Sequence, residues 1–201
     1  MKPEVPELLL QDAAEWRRWL EENHAASPGV WLVLSKKGGS LTTLTYAQAL
    51  DEALCFGWID GQIRPRDAMS FGQRFTRRAA RSIWSVRNRG HVERLEGAGR
   101  MQPAGRVAVQ AAVDDGRWER AYAGSATAEV PADLLAAIAG NPAAQAMFDV
   151  LSAQNRYALI FRLSQLKTEA ARQRNIAAFT SMLGRGETPY PQRAHPPTPN
   201  V

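Results

Sequence analysis

The sequence predicts an α+β fold: a small antiparallel sheet covered by helices, followed by a helical C-terminal subdomain. Three observations lead there. The first ninety or so residues interleave helix-period apolar stripes with short alternating or wholly apolar runs, whereas from Pro131 onward only the helical period remains. Proline and glycine mark the joints between these segments. The hydrophobic share of 45% is that of an ordinary globular domain, so a real core is expected.

Asp12 to about Ala26 sets Trp16, Trp19 and Leu20 on one stripe, with Arg17, Arg18, Glu21 and Glu22 off it. That is an amphipathic helix, stopped by Ser27–Pro28–Gly29. Val30–Trp31–Leu32–Val33–Leu34 is short, apolar, and β-branched or aromatic, a buried strand that ends at Lys36–Lys37 before a Gly38–Gly39–Ser40 loop. Thr45 opens a second helix, and Gln48 three residues on completes a capping box. Its apolar face is Tyr46, Ala49, Leu50, Ala53 and Leu54. Gln48, Asp51, Glu52 and Cys55 occupy an adjoining face, and Gly57 stops the helix.

Trp58–Arg64 and Met69–Arg77 alternate on either side of the turn Pro65–Arg66–Asp67, which reads as a hairpin. One register gives a coherent apolar face: Ile59 opposite Phe75 and Ile63 opposite Phe71. A slip of one residue mixes apolar with polar. The other face then collects Trp58, Asp60, Gln62, Arg64, Ser70, Arg74 and Thr76, with Asp60 directly opposite Arg74.

Arg77, Arg78 and Arg81 follow in a loop. Ser85 caps a helix to about Glu96 that carries Trp84, Asn88, His91 and Leu95 on one stripe, and Pro103 begins another that ends near Gly116. Residues 123–130 read as a linker of small side chains. Helices are expected over Pro131–Ala139, Pro142–Ser152, about Asn155–Leu166, and Thr168–Leu183, with Asn141 and Thr168 as caps and Gly184 as a stop. The organisation is therefore an α+β domain over 1–125, a helical subdomain over 131–186, and a tail over 187–201. The tail holds 5 of the 12 prolines with few apolar residues, so it is expected to be disordered.

Charge is unevenly placed. Residues 1–60 carry 5 basic and 9 acidic groups, whereas residues 61–120 carry 13 arginines and 6 acids, a local field that attracts anions. Cys55 is the single cysteine, which excludes an intrachain disulfide framework and a cysteine-based zinc site. There is no leader-like N-terminus and no apolar run long enough to span a bilayer, so no membrane insertion and a cytoplasmic protein are expected. P-loop, GxGxxG-to-helix, GxSxG, HExxH and CxxC patterns are absent, so no cofactor and no metal are expected and no catalytic residue can be named.

Trp58, Asp60, Arg64, Arg74, Arg77, Arg81, Trp84 and Asn88 are the candidate ligand-binding residues. A carboxylate among guanidiniums orients them, and arginine forms bidentate bonds with phosphate or carboxylate. Trp58 and Trp84 beside the arginines can wall a pocket. The plainer reading of Asp60 with Arg74 is a cross-strand surface pair. For Asp51, Glu52 and Cys55, acid–base chemistry needs a buried carboxylate. The plainer reading has one acid pairing with a nearby arginine and Cys55 packing as a small hydrophobe. His91 beside Asn88 reads as a satisfied structural histidine.

The segments WRRWLEENHAASPGVWLVLSKK, LTYAQALDEALCFGWIDGQIR, RFTRRAARSIWSVRN, GRMQPAG and LKTEAARQRNIAAFTSMLGRG together resemble the YdeI/OmpD-associated family, also labelled bacteriocin-protection proteins. The resemblance spans about residues 12–186, and its middle block, Tyr46 through Asn88, is the specific part. Phe75–Thr76–Arg77–Arg78 departs from it, with arginine where the family block has proline. The resemblance implies an accessory role in envelope stress or antimicrobial-peptide resistance, with an anionic small molecule or an envelope-associated protein as partner. Two alternatives stay open: a nucleic-acid-binding protein using the same arginines, or a small-molecule enzyme with Asp60 or Asp51 as base. A cationic peptide would be repelled by the arginine-rich segment, and the acidic N-terminal third suits that contact better.

Overall fold

A computed structural model describes residues 5–197. The chain divides into two compact units, Met1–Glu119 and Arg120–Val201.

In the first unit, β1 (Glu7–Leu8), α1 (Ala13–Asn23), β2 (Val30–Ser35), α2 (Tyr46–Cys55), β3 (Trp58–Pro65), β4 (Ser70–Arg77), α3 (Val86–Gly97) and α4 (Pro103–Asp114) follow in order. The Thr45 and Ser85 caps are those the sequence specifies, and Asp12 adds a third. Asp12 accepts from Glu15 N at 2.9 Å, Thr45 and Gln48 form the reciprocal box, and Ser85 accepts from Asn88 N. The sheet order is β1-β2-β4-β3. β1, too short to show any period, runs parallel to β2 through Glu7↔Trp31 and Leu8↔Leu32, which makes the sheet mixed rather than purely antiparallel.

The hairpin forms, but in a different register. Asp60 lies opposite Phe75 and Ile59 opposite Thr76; beyond an irregularity, Ile63 pairs with Gln73 and Arg64 with Gly72. The expected Asp60–Arg74, Ile59–Phe75 and Ile63–Phe71 pairs are therefore corrected. The cause is Gln73, only 1% exposed, whose Nε2 donates to Gly61 O at 3.0 Å and to Gln62 O at 3.3 Å. It satisfies the carbonyls of the bulged residues, which alternation alone does not reveal. Phe75 is fully buried, while Ile63 is 67% exposed. The shift sets Asp60 on the core face with Phe75, and Arg74 on the opposite face with Trp31.

The core face packs on α1 and α2. Trp16 lies 5.6 Å from the Phe75 ring, and Trp19 stacks on Trp16 while meeting Trp58 edge-on. Both buried indoles find acceptors, Trp16 in Ala49 O and Trp58 in His24 O. Each such ring contributes about 1.5–3 kcal/mol by burial. α4 approaches the end of α2 so closely that a Cβ on Gly105 would collide with the Cys55 carbonyl.

The second unit contains α5 (Ala132–Ala139), α6 (Pro142–Asp149), α7 (Ala153–Ser164) and α8 (Glu169–Gly184). Asn141, Ser152 and Thr168 cap the last three. Leu134, Ile138, Met147, Leu159, Leu163 and Leu183 form its core. Part of the tail is tethered by Asn155. Its amide donates to Tyr190 O and Gln192 Oε1 and accepts from Tyr190 N, which ties down residues 190–192. Residues 198–201 lie outside the described residues. Among the described residues, no helix is long and apolar enough to cross a membrane.

Candidate functional site

The eight candidate residues do not converge on one place. Trp58 is a core residue. Asp60 is half-buried and accepts from the Tyr46 hydroxyl at 2.7 Å, not from Arg74. Burial, followed by this bond, pushes the Tyr46 phenol up to about 12. Arg64 and Arg74 belong to the outer sheet face, 4.4 and 5.6 Å over the Trp31 ring, where Arg64 and Arg66 both bind Glu7. The Arg66 hydrogen bond, reinforced by Arg64, holds the Glu7 carboxyl below its usual range. Trp84 is buried beneath the Arg78 guanidinium at 3.6 Å and edge-on to Trp118. Asn88 lies in the first turn of α3, its N–H donating to Ser85. Arg81 is exposed and has no hydrogen bond or ion pair among the described residues.

Of the eight, Arg77 lines a cavity. That cavity, about 320 Å3, lies where the end of β4 meets the C-terminal end of α1 and the face of α4. Arg77, Arg78 and His24 border it, Phe56 and Gly57 close one side, and Ala104, Val107, Ala108 and Ala111 form the other. No carboxylate lines it. Arg77 is steadied by donating to Ala25 O at 2.9 Å, and Arg78 by donating to Ile83 O at 2.8 Å. His24 Nδ1 donates to Leu20 O at 2.8 Å, which leaves Nε2 as its other edge, and the ring packs on Phe56. Two arginines and a histidine bordering an apolar floor make an arrangement suited to an anion. His24 escaped the sequence reading because it is remote from the arginines; the small-residue stripe on α4 was the available signal.

The carboxylates of α2 are engaged elsewhere. Both Asp51 oxygens accept from Arg94, at 2.6 and 2.8 Å, and one lies 3.0 Å from His91 Nδ1. Glu52 is held between Arg17 and Arg100. Cys55 is buried, and that burial raises its thiol to about 11, so it packs as a neutral side chain. Neither acid stands ready as a base. Among the described residues, no group of three or more His, Cys, Asp or Glu is gathered as a metal ion would need.

No curated protein and no solved structure matches this chain. Residues 127–186, which carry α5 to α8, match the family described as Bacteriocin-protection, YdeI or OmpD-Associated. The likeness to that family is thus shown for the C-terminal helices and not for the middle block that first brought it forward. Residues 8–108 match a separate family, and over that half of its length the chain belongs to the domain of unknown function DUF8412.

Proposed function

We propose that this protein is an accessory factor in protection against bacteriocins or related antimicrobial peptides, and that its first unit binds a small anion between His24, Arg77 and Arg78. The match over 127–186 supports the first half. The second rests on one observation: a cavity bordered by two arginines and a histidine, with no acid in its lining. Binding rather than turnover is the reading, because Asp51 is occupied by Arg94 and Asp60 by Tyr46. Nucleic-acid binding is disfavoured by pairing. Arg64, Arg66, Arg94, Arg100, Arg106 and Arg117, six of the 13 arginines in residues 61–120, each contact a carboxylate, which lowers the open positive charge of the segment.

Calorimetric titration with phosphate and with a panel of phosphorylated metabolites tests the site. Arg77→Ala is expected to weaken binding about tenfold or more, the loss of a charge-assisted bond. Arg66→Ala, on the outer sheet face, is expected to change nothing. Uniform losses for both variants, with steep salt dependence on DNA, would instead identify a nucleic-acid surface.

A further inference from the structure

A second cavity, of about 500 Å3, opens between α3 and α4, both of which pack on α2. Its place follows from helical spacing: Val92, Glu93, Glu96 and Gly97 on α3 face Arg106 and Val109 on α4. The walls are apolar. Val92 and Met101 are 5% and 3% exposed, and Val109 and the Trp118 ring complete the slot. Trp118 is fixed in place, with Trp84 edge-on at 5.0 Å and Arg89 donating to its carbonyl at 3.0 Å while lying over the ring. Gly97 leaves the slot open. A Cβ there would meet nothing within 4 Å, so no neighbour occupies the missing side chain's place.

The charge of the slot is set by cancellation. Arg106 Nε reaches both oxygens of Glu96 at 3.0 Å, so these two neutralise each other. Gln110, also in the lining, donates to Asp114. Glu93 is exposed and has no hydrogen bond or ion pair among the described residues. What remains is an apolar slot, of a size that takes small molecules, with the Arg89 guanidinium 5.3 Å over its Trp118 wall and, at its rim, the Glu93 carboxylate, which makes no ion pair among the described residues.

We propose that this cavity binds an organic ammonium ion, its apolar body between Met101, Val109 and Trp118 and its charged nitrogen at Glu93. The inference is independent of the anion site, since it concerns other residues and the opposite sign of charge.

Three probes that share one apolar body separate the contributions: phenylbutylamine, phenylbutyrate and phenylbutanol, titrated into the full chain while the Trp118 indole resonance is followed. The amine is expected to bind about two- to fivefold more tightly than the carboxylate, the range an exposed ion pair supports. Glu93→Gln is expected to erase that preference and leave the alcohol unaffected. Gly97→Leu, which has room for the side chain and improves helix propensity, is expected to fill the slot and abolish binding of all three without lowering Tm. Arg77→Ala is expected to leave amine binding unchanged, which separates this site from the anion cavity. Equal or tighter binding of the carboxylate, a preference that survives Glu93→Gln, amine binding that survives Gly97→Leu, or no shift of the Trp118 resonance at millimolar amine would each overturn the proposal.

Discussion

The interiors of the two units are built differently. The first draws charge inward: Glu52, 5% exposed, is clamped by Arg17 from α1 and by Arg100 from the α3–α4 connection, and Asp60 is bonded to Tyr46 beneath the sheet. Among the described residues, the second buries aliphatic and aromatic side chains around one polar exception, Asn155, and leaves its Asp133–Arg172 pair at the surface. An apolar core accepts many arrangements of adequate volume, whereas a buried carboxylate shared by two guanidiniums accepts few. The first unit is therefore more sharply specified, and more easily damaged at a single residue.

The largest expected effect follows directly. Glu52→Ala leaves two guanidiniums facing an emptied apolar site. Removing one partner of a buried pair costs about 3–5 kcal/mol, and the partial exposure of Arg17 and Arg100 lowers this to about 2–4 kcal/mol. Urea denaturation of the variant measures it. A loss below that of the surface variant Asp133→Ala would dissolve the contrast between the two interiors.

Asn155→Ala probes the exception in the second unit. Asn155 is 1% exposed and makes three bonds to residues 190–192, so the loss is expected to be about 1–3 kcal/mol. Amide exchange at Tyr190 is expected to accelerate, while α8 stays protected. Unchanged exchange at Tyr190 would show that Asn155 does not hold this segment.

Which parts the sequence revealed follows the same division. Thr45, Ser85, Asn141 and Thr168 cap helices as read, because a cap is satisfied within three residues of itself. Helical period sufficed for the second unit for the same reason. The hairpin register was not legible, since it depends on Gln73 reaching back to Gly61 and on Val30 choosing Phe75 across β2. β1 acquires its identity only from its partner strand. The arginine-rich segment was visible as a local excess, but its neutralisation by Glu7, Asp51 and Glu52 is a property of the folded chain. Arg77 is one of the residues named from the sequence that borders the cavity, whereas His24 reaches it only through the course of α1.

The smallest expected effect belongs to Asp133–Arg172, and its pH dependence gives it a signature. Asp133 accepts from Arg172 Nη2 at 2.7 Å and from Leu134 N at 2.9 Å. The Arg172 bond, more than the backbone one, holds its carboxyl below the usual aspartate range. A folded-state value below the unfolded value of about 3.9 means the unfolded chain takes up the proton first. The stabilisation is then fully present above about pH 4 and is lost as the pH falls through the folded value. With both side chains a quarter or more exposed, it amounts to less than about 1 kcal/mol. The Tm difference between wild type and Asp133→Asn is expected to be small and constant near neutrality and to vanish on acidification. Salt at about 1 M, where the screening length is about 3 Å, is expected to shrink it as well. A difference that grows toward acid would mean that Asp133 is stabilised by something other than Arg172, and that the second unit hides a charge of the kind found in the first.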